Sequence, residues 1–288
     1  MAKILWLGLE TQLSNKYTEQ EHEFLILNRD TFTMEKLEEF KPDIVIEREF
    51  NDGRSIYKDE MIFIGKHYPK IKRAVWLIDT HVQFARHLAY SEYFDYIFLA
   101  ISRFVPIIKG IYKSKRVFWL PLCHPVVSLP PNQIDKRKHK VSFVGRWGQQ
   151  FFKERTALVE KLKQEPYFYA ITDYDNCYKI MSDSEISFNR SYSEDLNFRV
   201  FEALACGSEV VTNPVPDLYK IEGLAEQIHI YKNDLDVFQM LEDLVSGKRK
   251  PRGTPESHRK WIRNKHLLVH RVSDCIRMIQ NDTQINYE

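Results

Sequence analysis

Short apolar runs rich in valine, isoleucine and aromatic residues recur along this 288-residue sequence, with helical segments between them. Most runs are apolar almost throughout, which is typical of strands buried on both faces of a parallel sheet. The repeated order of strand, helix and strand predicts an α/β protein with doubly wound sheets. The predicted strands are KILWLGL (3–9), EFLILN (23–28), DIVIER (43–48), AVWLID (74–79), DYIFLA (95–100), RVFWLPL (116–122), KVSFVGR (140–146), YFYAIT (167–172), EISFNR (185–190), SEVVTN (208–213) and QIHIYKN (227–233).

The alternation of strands and helices is interrupted by the segment CHPVVSLPPNQIDKRKHK at residues 123–140. Its prolines, basic run and weak periodicity predict a linker at the surface. Two Rossmann-like domains, over residues 1–134 and 135–262, are therefore expected to face an interdomain cleft. The basic residues of the linker are compatible with nucleic-acid contact, although a solvated linker is the plainer interpretation. They are Lys136, Arg137, Lys138 and Lys140.

The composition excludes some classes of protein. The net charge is +2, from 42 basic and 40 acidic residues, whereas a dedicated nucleic-acid-binding protein normally carries a large basic excess. Hydrophobic residues make up 43% of the chain, which excludes an intrinsically disordered protein. The N-terminal run MAKILWLGLE is too short for a membrane span and lacks a signal-peptide cleavage pattern, so we expect no transmembrane segment.

Metal-ligand and disulfide patterns are weak. His266 and His270 are spaced like the ligands of a zinc-binding helix, but no third ligand is evident and a solvated helix face is the plainer interpretation. The cysteines are widely spaced and form no C-x-x-C pair, which predicts reduced, buried thiols in a cytoplasmic protein. They are Cys123, Cys177, Cys206 and Cys275.

The stretch SYSEDLNFRVFEALACGSEVVTN, at residues 191–213, carries the strongest functional signal. A helix is predicted to begin near Asn197, a favourable N-cap residue, and to stop at Gly207. The amino end of a helix presents free N–H groups and a partial positive charge, and such ends bind diphosphates. Arg199 lies in the first turn and can add a fixed cation.

Two carboxylates flank this helix start, with seven residues between them. Glu194 lies in the preceding loop, and Glu202 lies one turn into the helix. A carboxylate accepts two hydrogen bonds from a vicinal diol, and a sugar nucleotide offers a hexose and a ribose separated by a diphosphate. The spacing is compatible with that layout, and equally with solvated acids that pair with Arg199.

Other candidates follow predicted strands, where open parallel sheets bind ligands. Gly145 and Arg146 end the strand in SFVGRW and offer a permissive backbone and a cation, and Lys153 can also reach a phosphate. In the first half, Asp79 and His81 follow AVWLID and can orient an acceptor or a donor sugar, or simply begin a helix. His124, after VFWLPLC, is a further candidate for lining the cleft.

The second half resembles the nucleotide-binding domain of group-1 glycosyltransferases with the GT-B fold. The resemblance is carried by FVGR, by ISFN, by the Glu-x7-Glu spacing that ends in FEALACG, and by the strand EVVTN. The sequence is more closely similar to the family that includes the spore maturation protein CgeB. That likeness is carried by RVFEALACG, HLLVHRVSDCI, VWLIDTH and VFWLPLCHP.

The resemblance implies roles for matching residues. Glu202 matches the glutamate that holds the nucleotide ribose, Glu194 the glutamate that meets the donor sugar, and Arg146 the arginine that binds the diphosphate. Lys153 matches less well, because the family lysine follows the arginine more closely. The glycine-rich loop after the first strand is reduced here to Gly8. The C-terminal segment, residues 263–288, is expected to pack back on the first domain.

The implied reaction is transfer of a hexose from a nucleotide-diphosphate sugar, most simply a UDP-sugar, to a hydroxyl acceptor with retention of configuration. No cofactor or metal is expected, since this class neutralises the diphosphate with helix dipoles and basic side chains. Asp173-Tyr174-Asp175 matches the D-x-D motif of metal-dependent GT-A enzymes, a common chance pattern. A nucleotide-sugar epimerase and a non-catalytic assembly protein are the alternatives. The acceptor is open: protein, glycan, lipid-linked glycan, small molecule or modified phage DNA base.

Overall fold

The chain divides into two compact units in a computed structural model that describes residues 1–8, 22–49, 57–126, 128–130, 137–172 and 175–287. The N-terminal unit comprises Met1–Leu122 and Leu268–Asn286, and the C-terminal unit comprises Cys123–Leu267 with Tyr287. Asp173, Lys136, the predicted domain boundary at residues 134–135 and the loop after Gly8 lie outside the described residues. In the described residues, no helix combines the length and apolar character needed to cross a membrane.

The N-terminal unit contains a six-stranded parallel sheet with the order β2-β1-β3-β4-β5-β6. Its strands are β1 (Ala2–Leu7), β2 (His22–Leu27), β3 (Ile44–Glu49), β4 (Lys72–Leu77), β5 (Tyr96–Leu99) and β6 (Arg116–Trp119). The described helices between them are α1 (Met34–Phe40), α2 (Lys58–His67), α3 (Thr80–Ser91) and α4 (Phe104–Ile111).

The C-terminal unit contains a five-stranded parallel sheet with the order β11-β10-β9-β7-β8. Its strands are β7 (His139–Val144), β8 (Phe168–Ile171), β9 (Ser184–Asn189), β10 (Glu209–Thr212) and β11 (His229–Ile230). Its α-helices are α5 (Lys153–Leu162), α6 (Cys177–Ser182), α7 (Phe198–Ala205), α8 (Asp234–Val245) and α9 (Pro255–Lys265). The two parallel sheets with interleaved helices confirm the predicted α/β fold class.

The strands are mostly apolar because both faces of each sheet are covered. Leu5 on β1 pairs with Val45 on β3, and both side chains pack into one core cluster of the N-terminal unit. Trp6 pairs with Ile46, and these side chains point to the opposite face, where they are also buried. Because neither face of the sheet is in water, the strands lack the alternation of polar and apolar residues that is typical of a sheet with one exposed face.

The helical stretch PESHRKWIRNKHLLVHRVSDCIRMIQ near the C-terminus forms two helices. Helix α9 ends at Lys265, and the last helix, α10 (Leu268–Asn281), begins after a break. At the break the carbonyl of His266 accepts the backbone N–H of His124 at 2.8 Å, and Leu267 forms a parallel bridge with His124. These contacts between segments distant in sequence replace helical hydrogen bonds, and no proline or glycine signals the break. Helix α10 belongs to the N-terminal unit, where Lys72 donates to the carbonyl of Ile279 at 3.1 Å.

The predicted solvated linker is wrong for Arg137, whose guanidinium is bound by backbone carbonyls. Nη1 donates to the carbonyl of Ser184 at 2.8 Å, and Nη2 donates to the carbonyl of Gly207 at 2.7 Å. Arg259 similarly donates to the carbonyl of Ala205 at 2.8 Å. Two cations therefore lie at the carboxyl end of α7, where they stabilise the negative end of its dipole.

We expect Gly207→Ala to lower the free energy of unfolding by about 1 kcal/mol more than Gly247→Ala. Both glycines follow a helix with positive φ, +73° and +78°, so each substitution costs about 1–2 kcal/mol in backbone strain. A Cβ at position 207 would also lie 3.0 Å from the Cβ of Pro255, whereas one at position 247 meets no atom within 4 Å. Urea unfolding followed by circular dichroism measures both variants, and equal losses would show that Pro255 moves aside freely.

Candidate functional site

The amino end of α7 lies beside the carboxyl ends of β9 and β10. Asn197 occupies the N-cap position with extended backbone, as predicted, but its side chain makes no capping hydrogen bond. Its Nδ2 instead points back toward Asn189 Oδ1 at 3.2 Å and Ser191 Oγ at 3.4 Å. The Asn197 side chain therefore does not occupy the N–H groups of the first turn, which is the arrangement that an anion-binding helix end requires.

A polar network, which the sequence analysis did not identify, supports this end of the sheet. Asn189 Nδ2 donates to Thr212 Oγ1 at 2.9 Å and to Ser191 Oγ at 3.2 Å. The backbone N–H of Ser191 donates to Asn213 Oδ1 at 2.6 Å. The signal available in the sequence was the polar residue that ends each buried run, as in ISFN and VVTN. The network fixes the start of the loop that leads into α7.

The loop between β9 and α7 contains two consecutive residues in left-handed backbone conformation. Ser193 has a φ of 51° and Glu194 a φ of 58°, and both are exposed. Left-handed conformations are uncommon for residues other than glycine and concentrate at functional loops. The structure thus places Glu194 in a strained, exposed loop immediately before α7.

Gly145 is required by a close approach rather than by a positive φ. A Cβ at this position would lie 2.7 Å from Nη1 of Arg199 and 2.9 Å from Cζ of Phe143. The Arg199 side chain also lies close to Ser142 and Ser187. The guanidinium of Arg199 is therefore packed beneath the carboxyl end of β7.

Glu202 lies one turn into α7 and is partly buried. Tyr178 on α6 donates its hydroxyl to Oε1 of Glu202 at 3.3 Å. Burial raises the pKa of the Glu202 carboxyl, although the positive charge of Arg199 and the Tyr178 hydrogen bond partly oppose that shift. Tyr178 was not predicted as a site residue, because nothing in the sequence indicates a contact between residues 24 positions apart.

Arg155 is a second residue that sequence reasoning missed. Its buried side chain donates from Nε to the carbonyl of Arg190 at 2.9 Å and from Nη1 to the carbonyl of Arg146 at 3.2 Å. It thereby joins the segments that follow β7 and β9. The predicted cations are placed differently: Arg146 is exposed directly after β7, and Lys153 is exposed at the start of α5.

The structure brings several predicted residues of the C-terminal unit together. Gly145 contacts Arg199, the charge of Arg199 acts on Glu202, and the Asn197 side chain is bonded to the end of β9. In the N-terminal unit, Asp79 and His81 follow the carboxyl end of β4. Asp79 is the N-cap residue of α3, with a φ of 62° and no capping hydrogen bond from its side chain.

Two histidine predictions are corrected. His124 was expected to line a cleft, but its side chain is fully buried, with Nε2 donating to the carbonyl of Ser128 at 3.1 Å. Burial lowers the pKa of His124 to about 4. The solvated helix face that was the plainer interpretation of His266 and His270 is wrong for His266, which is buried at the end of α9. His270 lies within α10, so the two residues are not on one helix, as the ligands of a zinc-binding helix would be.

The sequence matches the profile of a family described as Glycosyl transferase-like over residues 132–277, just over half of the chain. This match includes the candidate residues from Gly145 to Glu202. No protein of curated function is similar enough in sequence to count as a relative.

Solved structures share the fold at very low identity. The Anabaena protein HepE, in complex with UDP and glucose, has a TM-score of 0.61 and 10% identity, with 98% of this chain and 100% of that chain covered. Sucrose-phosphate synthase from Thermosynechococcus elongatus has a TM-score of 0.58 and 10% identity, with the same coverage. The lipopolysaccharide outer core galactosyltransferase WaaB has a TM-score of 0.50 and 13% identity, with 98% and 100% covered.

The chain spans only 57% of the matching chain in the GtfA/B complex and 60% of the pneumococcal O-GlcNAc transferase GtfA, with TM-scores of 0.47 and 0.48. The better-fitting structures nevertheless agree on two parallel α/β units. These structures show the fold, and the profile match, which covers the α7 site, shows the family. The chain belongs to the Glycosyl transferase-like family and has the GT-B fold of glycosyltransferases.

Proposed function

We propose that this protein transfers a hexose from a UDP-sugar to a hydroxyl acceptor. The observation that carries the proposal is the juxtaposition at α7: a helix start whose N-cap side chain, Asn197, makes no capping hydrogen bond, a partly buried carboxylate one turn later, and a guanidinium beneath the strand end. A binding site for a nucleoside diphosphate must provide positive charge for the phosphates and a hydrogen-bond acceptor for the ribose hydroxyls. The HepE structure, which contains UDP and glucose, has the same fold.

Each residue has a role in this proposal. Glu202 accepts hydrogen bonds from the ribose hydroxyls, and Tyr178 holds its carboxylate in place. The first-turn N–H groups of α7 and the exposed Arg146 bind the diphosphate, with Lys153 as a further cation. Gly145 permits the close approach of Arg199, whose charge adds to the positive potential under the helix start.

The donor hexose lies toward Glu194 in this proposal, and Asp79 and His81 of the N-terminal unit orient the acceptor. Through an oxocarbenium-like transition state, the bond between the anomeric carbon and the diphosphate oxygen breaks, a bond from that carbon to the acceptor oxygen forms, and the hydroxyl proton passes to the departing diphosphate. The negative charge that develops on the leaving UDP is stabilised by the α7 dipole and by the arginines. Retention of configuration rests on the Glu-x7-Glu resemblance, and independence from a metal ion rests on the likeness to the GT-B class. The proposed likeness to the CgeB family rests on RVFEALACG, HLLVHRVSDCI, VWLIDTH and VFWLPLCHP.

The four cysteines support a reducing compartment for this activity. All four are free thiols in the structure, and three of them are buried. Cytoplasmic proteins keep such thiols reduced. We therefore propose the cytoplasm as the site of the reaction.

Thermal unfolding in the presence of UDP, GDP and ADP tests the donor assignment. A nucleotide at one hundred times its dissociation constant stabilises the folded state by about 2.7 kcal/mol, so UDP should raise the melting temperature clearly. Release of UDP from UDP-glucose or UDP-galactose that increases with an added acceptor would establish transfer. Conversion of one UDP-sugar into the other without release would identify an epimerase. No shift with any nucleotide would contradict the proposal and favour an assembly role.

A further inference from the structure

An open apolar cavity of about 590 Å³ lies in the N-terminal unit, at the amino ends of β3 and β4. Asp79 and His81 follow the carboxyl end of β4, so the cavity is at the opposite edge of the same sheet. Its volume is within the range of small-molecule sites, about 300–1,000 Å³. The residues that line it are Leu37, Glu38, Lys41, Pro42, His67, Tyr68, Pro69, Lys70 and Ile71.

The cavity forms where two helices end and the chain turns into the sheet. Lys41, which has a left-handed φ of 52°, is the C-cap residue of α1, and Tyr68 is the C-cap residue of α2. Leu37 is buried in the core, and Tyr68 and Ile71 pack against that core from the cavity side. The apolar base of the cavity is therefore part of the folded core, so the cavity is present without a ligand.

The rim of the cavity carries more positive than negative charge. Neither Lys41 nor Lys70 forms an ion pair within the described residues, and both are exposed. The one carboxylate on the rim, Glu38, already accepts the hydroxyl of Tyr68 at 2.6 Å, and that hydrogen bond raises the pKa of Tyr68. Lys41 and Lys70 are therefore the charged side chains of the rim that are available to contact a ligand.

We propose that this cavity binds a small amphiphilic organic anion, with an apolar chain or ring on the Leu37, Tyr68 and Ile71 surface and its acidic group between Lys41 and Lys70. Burial of apolar surface contributes about 25 cal/mol per Å², so a ligand of ten or so carbons has enough area to bind. The lysines select for an anionic head group. The site is independent of the proposed donor site, whose residues belong to the C-terminal unit.

Fluorescence titration of the full chain with 8-anilinonaphthalene-1-sulfonate tests the proposal, because this probe joins an apolar ring system to one sulfonate. We expect saturable binding at one site. Decanoate below its aggregation concentration should displace the probe, whereas decylamine, which has the same chain and a positive head group, should displace it at least tenfold less well. Equal displacement by the acid and the amine would overturn the anion assignment.

Charge-reversed variants locate the site. Lys41→Glu with Lys70→Glu should weaken probe binding at least tenfold. The matched pair Lys36→Glu with Lys66→Glu changes two exposed lysines of α1 and α2 outside the cavity and should leave binding within twofold of the native value. Equal effects of the two pairs, or no saturable binding, would contradict the proposal. UDP binding should be unchanged in both pairs, which keeps this test separate from that of the donor site.

Discussion

Glu202→Gln is expected to weaken UDP binding about tenfold to a hundredfold. In the proposed complex the carboxylate of Glu202 accepts hydrogen bonds from the ribose, and hydrogen bonds to charged groups contribute about 1.5–3 kcal/mol. Glutamine has nearly the same shape and still accepts the hydroxyl of Tyr178, so the fold should persist. Glu202 is already partly buried, so a bound ribose would exclude the remaining water from its carboxylate. Hydrogen bonds to a charged group are stronger when water is excluded, which favours a large effect of the substitution.

Isothermal titration with UDP measures this effect directly. Glu242→Gln, an exposed position on α8, is the matched control and should bind UDP like the native protein. Thermal unfolding of each free variant separates lost affinity from lost stability. If Glu202→Gln binds UDP as tightly as the control, the ribose assignment is wrong, even if the protein proves to be a transferase.

The raised pKa of Glu202 adds a pH dependence to the same experiment. A carboxyl with a raised pKa becomes protonated at a higher pH than an exposed glutamate does, and the protonated form is the weaker hydrogen-bond acceptor. UDP affinity should therefore begin to fall at a higher pH than the ordinary glutamate value of about 4.3 predicts. That part of the pH dependence should be absent from Glu202→Gln.

The strands could be predicted from sequence because burial on both faces leaves a continuous apolar run. Each of the eleven predicted strands is present, and their ends differ from prediction by a few residues. The helix break at His266 could not be predicted, since it is caused by hydrogen bonding to His124, a residue 142 positions earlier. Local helix propensity contains no information about a contact with a residue so distant in the sequence.

The residues of the candidate site also fall into two groups: those that could be placed from the sequence and those that could not. Residues next to the start of α7, such as Asn197 and Arg199, could be placed because a strand followed by a helix fixes their surroundings. Tyr178 and Arg155 could not, because their contacts depend on how α6 and α5 pack against the sheet. The sequence likewise indicated that Gly145 supplies a permissive backbone, whereas the structure shows a close approach by Arg199.

Glu209→Gln is expected to lower the free energy of unfolding at pH 7 by about 3 kcal/mol. Glu209 begins β10 and is buried, with Oε1 3.0 Å from Nε2 of His229 and Oε2 3.2 Å from Nε2 of His258. The backbone N–H of Arg252 also donates to Oε1 at 2.8 Å. Burial alone would raise the pKa of Glu209, but these three hydrogen-bonding groups outweigh it and hold the pKa at about 2. The difference from the ordinary value of 4.5, at about 1.36 kcal/mol per pKa unit, gives the expected loss.

The sign of the pH dependence follows from the lowered pKa. The folded protein binds a proton at Glu209 less readily than the unfolded chain does, so this carboxylate stabilises the fold fully above about pH 4.5. The stabilisation is lost as the pH falls from there toward 2. Urea unfolding at a series of pH values should show this loss in the native protein and in Glu226→Gln, an exposed control, but not in Glu209→Gln. Parallel curves for all three proteins would mean that the two histidines contribute nothing to the ionised state of Glu209, and that the contact between β10, β11 and α9 rests on packing alone.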